Sequence, residues 1–369
     1  MLPFIDLKAQ QKKIRTKIDK RIKSVLDHGQ YILGPEVKEL EDKLGTFANS
    51  KYVLCCSSGT DALLLALLGL NLKPGEGVIV PAFTFASSAE VIPLLGAVPI
   101  FIDVDPETFN LDPNKLSEAL ETALIAGIDV KGIMPVGLFG QPADMDPINN
   151  FAKENGLFVL DDAAQSFGSK YKNNIVGNLC DVTCTSFFPA KPLGCFGDGG
   201  AVFTSNNALA EKIKSLRVHG QTQPYTHKHV GLGARLDNLQ AAVLLIKLKS
   251  YNDAINMRQA AAERYHKMLH GLIKTPIVKN YNTSVWAQYS IRIPSRDLIK
   301  LKLEEQGIPT AVYYPKPLHL QKCFEYLNYK TGDFPVSENA AKEIISLPIN
   351  PYITVTEQKF IVEELKKCL

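Results

Sequence analysis

No stretch of this sequence is apolar for long enough to cross a bilayer. The longest run, Ala62 to Leu70, falls well short of the roughly 20 residues that a spanning helix takes. The opening Met1-Leu2-Pro3-Phe4-Ile5-Asp6 lacks the charged-then-apolar design of a secretory leader. Net charge is only +3, from 41 basic and 38 acidic residues, which is too small to indicate a nucleic-acid binder but suits anionic ligands. Cysteines are seven, an odd number (Cys55, Cys56, Cys180, Cys184, Cys195, Cys323 and Cys368), so reduced thiols and a cytoplasmic location are expected. Cys180 and Cys184 would make half a metal site, but no second cysteine pair or nearby histidine pair completes it, and no metal is expected. No Gly-x-Gly-x-x-Gly follows the first strand-like segment, which argues against a nicotinamide dehydrogenase. Repeats and low-complexity tracts are missing too.

What is present is a chain of 369 residues, enough for one large and one small domain, with 46% hydrophobic and 21% charged residues, as in an ordinary globular enzyme. Residues 8–27 carry Ile14, Ile18, Ile22, Val25 and Leu26 at helical spacing beneath a basic face, which reads as a solvated helix. A loop, Tyr31 to Pro35, leads into a second helix from Glu36. From residue 52 short apolar strands alternate with helices: 52–55, helix 60–68, 78–80, a helix from about Ser87, 99–102, 132–136, 158–160 and 182–185. Apolar strands between helices predict an α/β fold with a mostly parallel sheet covered on both faces, and 200–204 predicts an added antiparallel strand. A long helix from about Asn238 to Leu269 is expected to carry the chain out of this domain. The reading divides the chain near residue 250, into 1–250 and a smaller mixed α+β part, 251–369, with a strand at 290–293, a helix at 298–306 and a proline-rich loop at 309–317.

Four segments at strand ends carry the chemistry. Ser186-Phe187-Phe188-Pro189-Ala190-Lys191-Pro192-Leu193-Gly194, followed by Gly197-Asp198-Gly199-Gly200, places one lysine in an apolar setting beside a glycine-rich turn. Such a lysine sheds its proton readily and becomes an amine nucleophile, and the glycines let backbone approach a flat ligand. Alone it also reads as a surface loop lysine. Ser57-Ser58-Gly59-Thr60-Asp61 opens a helix, where N–H groups and hydroxyls make either a phosphate site or a simple cap. Asp161-Asp162-Ala163-Ala164-Gln165 follows a strand; an acid there faces the ligand crevice of an open α/β sheet or caps the next helix. Phe85, in Pro81-Ala82-Phe83-Thr84-Phe85 after the strand 78–80, stacks on a ligand ring or packs the core. Together the four suggest pyridoxal phosphate (PLP), with Lys191 as Schiff-base lysine, Asp162 on the pyridine nitrogen and Gln165 within reach of the ring hydroxyl.

Through these residues the chain resembles the DegT-type sugar aminotransferases, PLP enzymes of fold type I (aspartate-aminotransferase-like). The resemblance runs from Phe4-Ile5-Asp6-Leu7 through Gly29-Gln30-Tyr31-Ile32-Leu33-Gly34-Pro35-Glu36, Ser58-Gly59-Thr60-Asp61-Ala62-Leu63, Asp162-Ala163-Ala164-Gln165-Ser166-Phe167-Gly168 and the Lys191 segment to the C-terminus. It implies Lys191 as Schiff-base lysine and general acid/base, Asp162 and Gln165 on the ring, Phe85 over it, and Ser58, Gly59, Thr60 and Ser186 at the phosphate. It implies UDP-sugar contacts from Gly29, Tyr31, Arg235, Tyr313 and Tyr314, some reaching across a homodimer. Phe188 stands where members that aminate C4 often carry His, and points to C3. The wording of the Lys191 segment is most similar to enzymes that move the amino group of glutamate to UDP-2-acetamido-2-deoxy-3-oxo-glucuronate for O-antigen synthesis. Alternatives are a 3-keto-6-deoxyhexose on dTDP or UDP, and a non-catalytic regulator that binds PLP or a nucleotide sugar. A dehydratase of the same fold would replace the lysine by histidine. Three positions depart from the pattern: Gly233 stands where an asparagine commonly reaches the neighbouring subunit's PLP phosphate, and Ala190 and Tyr313 stand where similar members carry Ser and His.

Overall fold

In the computed structural model, which describes residues 2–369, helices α1 (Leu7–His28) and α2 (Pro35–Ala48) lead into strand β1 (Tyr52–Cys56). Then α3 (Gly59–Gly69), β2 (Gly77–Pro81), α4 (Ser87–Glu90), β3 (Val98–Ile102), α5 (Leu116–Ile125), β4 (Val130–Ile133), α6 (Met145–Asn155) and β5 (Phe158–Asp162) alternate. A small hairpin of β6 (Lys170–Tyr171) and β7 (Asn174–Ile175) precedes β8 (Val182–Ser186), β9 (Gly200–Thr204) and α7 (Asn207–Leu216). A second hairpin, β10 (Gln221–Gln223) and β11 (Thr226–His227), is followed by α8 (Asn238–Leu248), α9 (Tyr251–Leu269), β12 (Tyr289–Arg292) and α10 (Arg296–Glu305). The chain closes with α11 (Pro335–Glu343), β13 (Ile344–Leu347) and α12 (Val355–Cys368). No helix among the described residues is long and apolar enough to cross a membrane.

Seven strands form one sheet in the order β1-β9-β8-β5-β4-β2-β3. β3, β2, β4, β5 and β8 pair in parallel, and β9 runs antiparallel to both β8 and β1. The expected α/β architecture and its antiparallel strand at 200–204 are therefore present. The strands are apolar on both sides because both sides are covered. Val78, Val80, Leu160 and Cys184 pack with Leu63 and Leu67 of α3 and Ile213 of α7. On the other face Ile79, Ile133 and Val159 pack with Leu116 of α5 and Ile148 of α6. A separate cluster gathers Tyr265 of α9, Ile291 of β12, Leu303 of α10, Ile345 of β13 and Leu365 of α12. The C-terminal region also reaches back: Ala340, Ala341 and Ile344 pack with Phe83, Val136 and Leu138.

Two expectations about helices need correction. The helix from Ser87 is a single turn, because Pro93 cannot extend the hydrogen-bond ladder and instead opens a separate short 3₁₀ turn, Pro93–Leu95. The long helix from Asn238 to Leu269 is two helices that meet at Lys249 and Ser250. There the Ser250 hydroxyl donates to the Lys247 carbonyl at 3.3 Å, a local bond that competes with the ladder. The break lets Tyr251 drop into the large core, where its hydroxyl donates to the Phe167 carbonyl at 2.5 Å.

One core position is unusual. Asp161, on the face of β5 opposite Asp162, is fully buried and neither of its carboxyl oxygens has a hydrogen-bond partner among the described residues. Burial, and next the charge of Asp162, push its pKa up to about 8. The unfolded chain releases this proton near pH 4, whereas the folded chain keeps it until about pH 8. The folded state therefore binds more protons between those values, and this carboxyl lowers stability progressively as pH rises through that window. Asp161→Asn removes the titration. Thermal unfolding of the two proteins should show the variant gaining several degrees relative to the parent on going from pH 5 to pH 8. An unchanged difference would show that Asp161 ionises freely in the fold.

Candidate active site

The site lies along the carboxyl ends of β1, β2, β5 and β8. Ser58 caps α3: its hydroxyl accepts the Asp61 N–H at 3.0 Å and donates to Asp61 Oδ2 at 2.9 Å, so the capping role is realised at this hydroxyl. The Gly59 and Thr60 N–H groups behind it begin the helix with no intrahelical acceptor, as the first turn of any helix must. Space beside them is tight and shaped by glycine. A Cβ on Gly59 would sit 2.6 Å from Ser186 Cβ, and one on Gly200 would sit 2.3 Å from the Ser58 carbonyl oxygen. Thr60 Oγ1 and Ser87 Oγ are 2.8 Å apart. Donor groups from β1–α3, from α4 and from the end of β8 thus converge on one small cradle, suited to an anion.

Beyond the cradle stands Asp162, buried at the end of β5. Its Oδ2 accepts the Ser88 hydroxyl at 2.7 Å and its Oδ1 accepts the Ala164 N–H at 3.1 Å. Burial raises its pKa, while the Ser88 and Ala164 donors and the charge of Lys191 pull it back. Lys191 is half-buried in the turn after β8, held where its N–H donates to the Phe188 carbonyl at 2.8 Å. Burial lowers its pKa and the charge of Asp162 opposes that. The amine is thereby brought closer to its neutral, nucleophilic form while a carboxylate stays near.

Gln165 is oriented by its surroundings. Its Oε1 accepts the Phe139 N–H at 2.9 Å, which leaves Nε2 as the donor, to Tyr314 Oη at 3.2 Å. The second Nε2 hydrogen stays free for a ring hydroxyl. Tyr314 also touches Phe85, with ring centroids 6.1 Å apart, while Phe85 is 53% exposed. An aromatic ring left open beside this crevice is a stacking platform. Tyr313 packs edge-on against Tyr314 and near Phe4. Lys191, Asp162, Gln165, Phe85, Tyr313 and Tyr314 therefore belong to one neighbourhood with the cradle of Ser58, Gly59, Thr60 and Ser186.

Gly29, Tyr31 and Arg235 form a second group. Gly29 ends α1 with φ +69°, and Tyr31 is exposed in the following loop. Asn238 ties that loop: its N–H donates to the Tyr31 carbonyl at 2.8 Å, and its side chain accepts the Gly34 N–H at 3.0 Å and donates to the Gln30 carbonyl at 2.7 Å. Arg235 is exposed two residues from Gly233. A Cβ at Gly233 would sit 3.1 Å from the His219 ring, so the imidazole occupies the space beside that glycine. α8 links the two groups, since Gln240 Oε1 accepts the Phe196 N–H at 2.8 Å and Lys247 Nζ donates to the Gly194 carbonyl at 2.6 Å.

Reading the sequence missed Ser88, the Phe139 N–H, Asn238 and Lys247. Ser88 stood in view beside Ser87, but nothing in the local pattern pairs it with an acid 74 residues away. Lys247 lies on the buried face of α8, two residues before the break, and that position was the one available signal.

An amine with a lowered pKa, a buried carboxylate, an open aromatic ring and a hydroxyl-rich helix start are the groups that the cofactor site of a fold-type-I PLP enzyme calls for. The chain belongs to the DegT/DnrJ/EryC1/StrS aminotransferase family, whose model matches residues 12–366. It is 47% identical over 99% of both chains to the UDP-2-acetamido-2-deoxy-3-oxo-D-glucuronate aminotransferase of Pseudomonas aeruginosa. Its fold matches the crystal structure of a DegT DnrJ EryC1 StrS aminotransferase from Brucella abortus with a TM-score of 0.97, at 42% identity, covering 100% of this chain and 99% of that one. It also matches NtdA of Bacillus subtilis, solved with bound cofactor PMP, with a TM-score of 0.88 at 32% identity, covering 98% of this chain and 82% of that one. PLP is the cofactor of this enzyme, and the residues above fit it.

Gly59→Ala tests the cradle. The new methyl has to displace Ser186, so the variant should retain its fold by circular dichroism yet hold PLP about tenfold less tightly, as for loss of one hydrogen bond to a charged group. Unchanged PLP retention would place the phosphate elsewhere.

Proposed function

We propose that this enzyme moves the amino group of glutamate to C3 of UDP-2-acetamido-2-deoxy-3-oxo-glucuronate, a UDP-linked 3-keto sugar, in the cytoplasm, for O-antigen or related surface polysaccharide. The observation that carries the transaminase reading is Lys191 held part-buried, its amine pKa lowered, within the field of Asp162. The full-length likeness to the Pseudomonas aeruginosa enzyme supports the choice of sugar, and the exposed Phe188 beside Lys191 agrees with C3.

Within this reading each residue has a task. Gly59, Thr60, Ser186 and the α3 N-terminus hold the phosphate, with Ser58 fixing the turn that presents them. Phe85 covers the ring, Gln165 meets its hydroxyl and Asp162 keeps its nitrogen protonated. When bound, the cofactor supplies an electron sink for the substrate carbon. Lys191 gives the amine that attaches the cofactor and then carries a proton at Nζ from glutamate's α-carbon, and later to C3 of the sugar. Tyr313 and Tyr314 flank the sugar side, and Arg235 offers a planar fork to a carboxylate or phosphate. The large part, 1–250, holds the cofactor and the smaller part, 251–369, closes over the sugar; the separate apolar cluster of α9, β12, β13 and α12 supports that division.

The working unit we propose is a homodimer. Tyr225 in the β10–β11 hairpin and Val230 after it are 94% and 92% exposed, and Tyr31, Ile32, Leu33, Phe188 and Phe196 are exposed as well. A second copy covers such a face, and brings Gly29, Tyr31 and Arg235 of one subunit to the Lys191 of the other.

An absorbance spectrum of the purified protein before and after glutamate tests the reaction. A yellow lysine-bound band that gives way to the aminated cofactor form, and returns with the 3-keto sugar, is the expected result. Return only with a dTDP- or UDP-linked 3-keto-6-deoxyhexose would reassign the sugar. A protein that stays colourless with added PLP would leave a binding protein in place of an enzyme. Lys191→Ala should lack the band and lose at least about three orders of magnitude in turnover; activity within tenfold of the parent would refute the role of Lys191.

A further inference from the structure

The segment Thr84-Phe85-Ala86-Ser87-Ser88 does more than present an aromatic ring. It leaves β2, turns, and starts the one-turn helix α4. Its two consecutive serines point to different ends of the cofactor site: Ser87 lies 2.8 Å from Thr60 Oγ1 at the cradle, and Ser88 lies 2.7 Å from Asp162 Oδ2. Ser88 is fully buried, as Thr84 and Asp162 nearly are. Thr84 Oγ1 and Ser88 Oγ are 3.2 Å apart.

The proton count fixes the direction of these bonds. An ionised carboxylate has no hydrogen to give, so Ser88 donates its single proton to Asp162 Oδ2. Ser88 Oγ then accepts, and Thr84 donates to it. From this geometry we infer that Ser88 is a positioning residue for Asp162, and that a buried Thr84–Ser88–Asp162 hydrogen-bond chain aims the carboxylate and keeps it charged toward the cofactor's ring nitrogen. The inference rests on the PLP reading above.

The chain matters because Asp162 is buried, and a buried carboxyl favours its neutral form. Neutral, it would no longer hold a proton on a pyridine nitrogen. Two donors oppose that, the Ala164 N–H on Oδ1 and the Ser88 hydroxyl on Oδ2, and each oxygen keeps a lone pair for the ring. The other ionisable groups acting on Asp162 or feeling its charge are Lys191, Asp161 on the same strand, Cys184 on β8 and Tyr314 from the proline-rich loop. None of the four is hydrogen-bonded to its carboxylate. Ser88 is thus the one side-chain hydrogen bond fixing the direction of this carboxylate among the described residues.

The test uses the PLP-loaded protein and follows the lysine-bound absorbance band against pH, together with cofactor retention in equilibrium dialysis. Ser88→Ala should move the midpoint of the band upward, because a less fully protonated ring nitrogen withdraws less electron density from the nitrogen that titrates. Retention should weaken about tenfold, the size of one hydrogen bond to a charged group. Thr84→Val should shift the midpoint the same way by less. Adding Ser88→Ala to Asp162→Asn should change the midpoint no further, since the hydroxyl acts through the carboxylate. A parent protein that shows the band beside a Ser88→Ala protein with the same midpoint would overturn the positioning role. So would additive effects in the double variant. A parent that never shows the band would overturn the PLP reading beneath it. Should Ser88→Ala fail to fold, Thr84→Val decides alone: an unshifted midpoint there removes the chain.

Discussion

A strand sends neighbouring side chains to opposite faces, so the pair Asp161-Asp162 at the end of β5 cannot act as a pair of equals. Asp162 reaches the crevice, where two donors, a nearby amine and an open aromatic ring await it. Asp161 enters the apolar layer between the sheet and α6 with no hydrogen-bond partner among the described residues. The site depends on this division. Were the register of β5 shifted by one residue, the unpartnered acid would face the crevice and the hydrogen-bonded one would sit in the core. The parallel pairing of β5 with β4 and β8 holds the register. Asp161, by contrast, ionises only at the expense of stability.

Around that strand, the site is assembled by contacts between parts of the chain that are far apart in sequence. Ser88 comes from after β2 to meet Asp162, and Tyr314 comes from beyond α10 to meet Gln165 and Phe85. α8 ties the loop of Gly29 and Tyr31 at its first turn, through Asn238, and the loop of Lys191 further along, through Gln240 and Lys247. Lys247 is itself buried, with its pKa pushed down to about 8 by that burial, and its ammonium lies over the Phe196 ring. A second lysine with a lowered pKa therefore lies behind the first. Its Nζ donates to the Gly194 carbonyl, so it braces the turn that carries Lys191.

Much of this was legible in the sequence because it is local. Apolar strands between helices announce a covered parallel sheet, and an acid, a lysine and a glycine-rich turn at strand ends announce a crevice. The helix break at Lys249 and Ser250 was not legible, since both residues are acceptable in a helix and the reason for the turn is where Tyr251 must go. The single turn at Ser87 was readable in principle from Pro93. Ser88 was not, because a serine in a run of small residues looks the same whether its hydroxyl meets solvent or a carboxylate. Likewise Gly233 reads as an empty position, whereas the fold places the His219 ring in the space beside it.

Lys191 and Asp162 illustrate why such a site is built from opposed tendencies. Burial pushes the amine toward its neutral form and the acid toward its neutral form as well, yet each one's charge favours the charge of the other. With neither partner strongly paired by a direct hydrogen bond between them, the amine can give up its proton without stranding the acid, because Ser88 and Ala164 still hold the carboxylate. In the proposed reaction Lys191 would have to be neutral to attack and charged to deliver a proton, within one turnover. A direct Lys191–Asp162 ion pair would lock it in the charged form. The fold keeps the carboxylate near enough to be felt and supplies its hydrogen bonds from elsewhere, and that separation lets the lysine change state while the acid does not.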